Sequence, residues 1–181
     1  MKRLVLTLAA AALAVAGCSS DSSDDASSHN DADVAFAQQM IPHHEQAVEM
    51  SDLALDDSRG ASAEVQALAT QIEKAQQPEI DTMTGWLDDW GVDEESGHEG
   101  QDMSGMTGMM TEGDMTLLAD STGAEFDRLW LTMMVEHHEG AVEMAKTVLD
   151  DGSDPEVAAL ADDVVTTQNA EIAEMKALLD E

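Results

Sequence analysis

The segment MIPHHEQAVEM at residues 40–50 returns as MVEHHEGAVEM at residues 134–144, with both histidines, both methionines and the Ala-Val-Glu run unchanged. An internal repeat limits the fold more than any other feature of this chain, because its two copies are expected to take equivalent places in one structure. The correspondence runs past the motif. His43 and Asp57 lie ninety-four residues before His137 and Asp151, whereas Glu64, Gln76, Glu79 and Met83 lie ninety-two before Glu156, Gln168, Glu171 and Met175. The two-residue difference falls at SRGASA, opposite the shorter GSDP. Insertions collect in turns, so each copy is expected to be an antiparallel helix pair folded at that point.

Helical periodicity fills both copies. Val65, Leu68, Ile72, Ile80, Met83, Leu87 and Trp90 recur at three- and four-residue steps, as do Val157, Leu160, Val164, Ile172, Met175 and Leu179. No alternating β-branched run suggests a strand. Ser153, followed by Pro155 and Glu156, is the expected N-cap of the last helix. Residues 91–115, GVDEESGHEGQDMSGMTGMMTEGDM, have no periodicity. The fold class read from this pattern is all-α: a ferritin-like four-helix bundle of two duplicated antiparallel hairpins, at 33–90 and 122–181, with a long crossover linker at 91–121.

The repeated motif carries the chemistry. Met40, His43, Ala47 and Met50 form one stripe, and Met134, His137, Ala141 and Met144 repeat it. His44 and His138 sit next on the helix, within reach of Met40 and Met134 at i, i+4. Taking Asp57 and Glu64 as flanking the first turn, a level count sets Gln77 opposite His44 and Asn169 opposite His138. Gln76 and Gln168 interrupt apolar stripes near the same height, so these four amides are the expected hydrogen-bond partners of the imidazoles. Pro42 and Pro78 fall at this height in the first copy only, where each removes one intrahelical hydrogen bond and predicts a bend.

A single Met stripe or a single buried His is ordinary core material. Two copies of Met-x-x-His-His with polar residues opposite point instead to metal. Imidazole suits several transition metals, and thioether sulfur selects Cu(I) among them. The linker supplies a second candidate set, His98, Met103, Met106, Met109, Met110 and Met115, read as exposed methionines without a packing role. Copper is the expected ligand, and no organic cofactor is expected.

The N-terminus sets the compartment. Lys2 and Arg3 precede an apolar run from Leu4 to Ala16, and VAGC brings small residues up to Cys18, the single cysteine. This pattern predicts a lipoprotein signal at 1–17, lipid on the Cys18 sulfur and attachment to the outer face of the cell membrane. Residues 18–32 then read as a flexible acidic tether. With no second Cys, neither an internal disulfide nor a thiolate pair is available. The formal charge is −32, which disfavours nucleic acid as a partner. A protein that donates or accepts copper is the partner the chemistry suggests; the oligomeric state is not legible.

MIPHH, its second occurrence MMVEHHEGAVEMA, and AQQPEIDTMTGWL together resemble the bacterial family named domain of unknown function 305, over residues 33–180 or so. The resemblance implies a ferritin-like fold, secretion or lipid anchoring, and in some members copper binding and tolerance. By position it implies Met40, His43, His44 and Met50 with Met134, His137, His138 and Met144. Glu136 departs from the family pattern, which commonly has Pro there. The function expected is therefore non-catalytic copper buffering, sequestration or transfer. A metal-free interaction or pH-sensing module is the alternative. A di-iron oxidase fits less well, because its Glu-x-x-His occurs only at Glu95–His98, inside the linker, and HExxH is absent.

Overall fold

A computed structural model of the chain describes residues 28–94 and 106–180. Cys18, the signal, most of the tether, His98 and Met103 lie outside them. Among the described residues there are five α-helices: α1 Asp31–Leu55, α2 Ala63–Trp90, α3 Glu112–Asp120, α4 Gly123–Asp151 and α5 Pro155–Leu179, with a 3-10 turn at Asp57–Arg59.

Local chemistry explains the helix starts. Asn30 and Asp33 form a reciprocal capping box on α1, and Ser62 accepts from the Val65 N–H to open α2. The N-cap of α5 is Asp154, whose carboxylate accepts from Glu156 and Val157, with Pro155 at the first helical position. Ser153, the expected cap, instead turns its backbone N–H and hydroxyl toward the Asp33 carboxylate. Asp33 thereby ties the start of α1 to the turn between α4 and α5.

The linker differs from its sequence reading. Residues 112–120 form α3, opened by a Thr111–Asp114 capping box. A helix this short holds too few apolar positions for periodicity to reveal it. Met110 is buried and Met115 packs beside it in the core, so these two methionines do have a packing role.

α1 packs along α2, and α4 along α5, as two hairpins that meet chiefly through α1 and α4. Both α1 and α2 continue as helix through Pro42 and Pro78. The apolar core divides in two. One cluster takes the later half of α1 (Ala47, Met50, Ala54) with early α2, early α4 and late α5, around Trp130 and Phe126. The other takes early α1 (Phe36, Met40, Ile41) with late α2, late α4 and early α5. α1 and α4 are thus antiparallel, and each long helix passes from one cluster to the other near its middle. What lies between the clusters is polar.

Candidate metal centre

The polar waist is built from the two repeated motifs. His43, His44, His137 and His138 are all completely buried. The rings of His43 and His137 meet across the α1–α4 contact, their centroids 3.7 Å apart and tilted by 35°. His44 and His138 flank them, 6.5 and 6.3 Å from their respective neighbours. The two halves of the pattern match, in keeping with the repeat in the sequence.

The outer pair is anchored by carboxylates. His44 Nε2 lies 2.7 Å from Glu79 Oε2, and His138 Nε2 lies 3.0 Å from Glu171 Oε2. Gln71 donates to the other Glu171 oxygen at 3.0 Å. The level count had set Gln77 and Asn169 in these places. Both are exposed and bonded elsewhere, Gln77 to Asp81 and Asn169 to the Val165 carbonyl. The physical reason is side-chain lean. A helical residue covers the surface about one position N-terminal to its own Cα, and in an antiparallel pair the two leans point opposite ways along the axis. The facing residue therefore moves on by two, from Gln77 to Glu79 and from Asn169 to Glu171. The sequence held a signal for both glutamates, since they are counterparts in the repeat, one helical step from Gln76 and Gln168.

Gln76 and Gln168 are buried in the waist. Among the described residues, every buried side-chain polar atom without a partner belongs to this layer except Arg59 Nε. They are both nitrogens of His43 and His137, Nδ1 of His44 and His138, both amide atoms of Gln76, and Oε1 of Gln168. Each such atom costs about 1–3 kcal/mol of desolvation when nothing bonds it. Packing alone gives no reason to concentrate that cost in one layer. Donor atoms held for a ligand do.

Electrostatics keep the inner rings neutral. Burial, then the neighbouring His44 and His138, lower the pKa of His43 from 6.5 to about 3, against a smaller opposing effect of the Thr107 backbone. Burial and the same cluster hold His137 well below its ordinary value. Burial pushes Glu171 up, but hydrogen bonds from His138 and Gln71 outweigh it and leave the carboxyl below its usual range. Neutral imidazoles are the form that metals bind.

The predicted methionines separate by side. Met40 belongs to the cluster at one face of the waist, where Met144 packs partly exposed; Met134 and Met50 belong to the cluster at the other. Each face of the histidine layer thus holds one thioether from each motif. Met110 and Met115 lie with Met50 and Met134, and Met106 and Met109 are half-buried on the strand of chain leading to them. Among the described residues no three His, Asp or Glu side chains converge as a preformed ligand group.

Residues 106–111 cross over one side of the waist. Gly108 adopts φ +84°, and a side chain there would strike the Glu136 carbonyl at 2.8 Å. A Cβ at Gly140 would meet the Thr107 carbonyl at 2.2 Å, so this strap requires glycine in α4. Gln46, the counterpart of Gly140 in α1, receives the Met110 N–H at 2.7 Å and donates to the Met110 carbonyl at 2.9 Å. Beside the strap, Thr107 and Met144 line an open groove of about 320 Å³ between α1 and α4.

Known proteins place this arrangement in context. The family model described as Domain of unknown function (DUF305) matches residues 33–179. A DUF305 protein of Streptomyces coelicolor, inferred to be secreted, is 36% identical, with a TM-score of 0.76 over 82% of this chain and 92% of its own. CopM in its Cu(II)-bound form is 32% identical, with a TM-score of 0.68 over 82% of this chain and 95% of its own; its Cu(I)-bound form gives 30% and 0.65. The uncharacterized protein L153 of Acanthamoeba polyphaga mimivirus is 38% identical over 55 residues. That match spans only 36% of the mimivirus protein.

Proposed function

This chain belongs to the DUF305 family, and from that premise we propose that it is a non-catalytic, extracytoplasmic copper-binding protein that buffers, sequesters or passes on the ion. One observation carries the reading: among the described residues, all but one of the buried side-chain polar atoms left without partners lie on four imidazoles and two amides, between two clusters that contain methionines. Its support from outside is the likeness to CopM, a protein with copper-bound forms. The layer sits in a ferritin-like bundle that arose by duplication.

The donor set fits the ion. His43 and His137 are held neutral by burial, so binding at the inner pair requires no proton to leave. Thioethers from Met40 and Met134, with Met50 and Met144 behind them, add soft donors that favour Cu(I). A set of few imidazoles completed by sulfur needs no group of three His or carboxylate ligands. Gln76 and Gln168 bring further unpartnered amide atoms to the layer from α2 and α5. The apolar clusters on either side exclude water from the layer. His98, Met103, Met106 and Met109 in the linker form a secondary binding segment. Lipid on Cys18 would hold the protein at the outer face of the cell membrane; no helix among the described residues is long and apolar enough to cross one.

Titration of the domain with Cu(I) and Cu(II), against a variant with His43, His44, His137 and His138 all replaced by Ala, tests the reading. Binding is expected in the parent and lost in the variant. Unchanged binding in the variant would sink the helix-borne site, and loss only on deletion of residues 98–109 would move the site to the linker. A melt shifted by acid but not by copper would favour a pH-sensing module, which the depressed pKa of His43 could also serve.

A further inference from the structure

Each outer histidine has one ring nitrogen on a carboxylate and the other on nothing. A carboxylate can only accept, so the ring nitrogen facing it carries a proton. In a neutral imidazole that leaves the opposite nitrogen with its lone pair free. Glu79 Oε2 and Glu171 Oε2 take Nε2 of His44 and His138, and Nδ1 of both rings is buried without a partner. The glutamates come from α2 and α5, across the hairpins from the rings they hold, and they are counterparts in the repeat. Both helix pairs hold their outer histidine in the same orientation.

We propose that Glu79 and Glu171 are positioning residues that fix His44 and His138 in the Nε2-protonated form, so that each ring presents Nδ1 as the donor atom to the metal layer. The proposal rests on the copper-binding reading above and deepens it by assigning the ligating atom. It also ranks the two rings. Glu171 is buried, and Gln71 holds its second oxygen. The counterpart of Gln71 in the other half is Asp163, which is exposed and, as a carboxylate, cannot donate to Glu79. The Glu79 side chain is 19% exposed. His138 is therefore the more firmly oriented ligand, and His44 the one whose ring has more freedom.

The first test needs no metal. Nitrogen-15 NMR of the histidine rings in the metal-free protein separates the two neutral tautomers. The expected result is the Nε2–H form for His44 and His138; the Nδ1–H form at either ring overturns the proposal for that ring. On loading with Cu(I), the Nδ1 resonances of these rings should move and the Nε2 resonances hold; the reverse overturns it. Glu79→Leu and Glu171→Leu should each mix the tautomers and weaken Cu(I) binding about 10–100-fold. Glu79→Gln and Glu171→Gln, which keep an acceptor, should restore most of the affinity. Mixed tautomers with unchanged affinity in the Leu variants would refute the positioning role. If the parent protein binds no copper at all, the function proposed above fails, while the tautomer result still stands or falls by itself.

Discussion

The two Met-x-x-His-His segments begin as near copies and end in different surroundings. At the centre they agree: His43 and His137 lie against one another, completely buried. One step outward they part. Gln46 in α1 holds the strap by its Met110 backbone, whereas Gly140 in α4 makes room for it. Glu79 has one partner from the waist and some exposure; Glu171 has two and almost none. The two halves keep the same histidines and differ in the residues that support them. The position of a residue in the layer constrains it more than its place in the motif does.

The largest expected effect tests what the halves share. For His43 the folded pKa is about 3 against an ordinary 6.5, and His137 is depressed as well. The folded state then binds fewer protons than the unfolded chain between those values. Stability is fully present above about pH 6.5 and falls as the pH drops toward the folded pKa. His43 alone should cost about 2 kcal/mol by pH 5, and His137 adds to the loss in the same direction. Urea unfolding at pH 7 and pH 5 measures it; equal stabilities would mean the inner rings are hydrated.

Gly140→Ala should come next. Its Cβ has no room beneath Thr107, so either the strap lifts or α4 shifts, at about 2 kcal/mol. The same denaturation assay reads it, and a neutral outcome would show that the strap is not seated on α4. Glu171→Leu should destabilise the metal-free protein by about 2 kcal/mol, because His138 and Gln71 both lose a buried acceptor. Glu79→Leu, with one partner and partial exposure, should cost about 1 kcal/mol. Equal costs would erase the contrast between the halves. The smallest change, about 1 kcal/mol or less, is expected for Gln46→Ala, with faster hydrogen exchange at the Met110 amide as its specific mark.

Much of this was legible in the chain. Periodicity and the repeat gave two hairpins, since a buried helix face must be apolar at every third or fourth residue. The repeat also picked out the four histidines and the buried amides Gln76 and Gln168. Gln77 and Asn169 show where reading stopped: a level count locates Cα atoms, while contact is made by side chains that lean along the helix. α3 was missed because a short helix pinned by its caps has little pattern to display. Met110 and Met115 read as surplus donors, but the strap buries Met110 and α3 packs Met115 against the same cluster.

Residue order determined the helices, their turns and the doubled set of histidines and methionines, because periodicity and caps act over a few residues. Only tertiary structure decided which ring meets which. His43 and His137 are far apart in sequence, and their contact depends on how α1 and α4 cross. The same packing set Met40 and Met134 on opposite faces of the layer and left Gly140 under the strap. A repeat specifies identical parts; the way two copies are packed together specifies their neighbours.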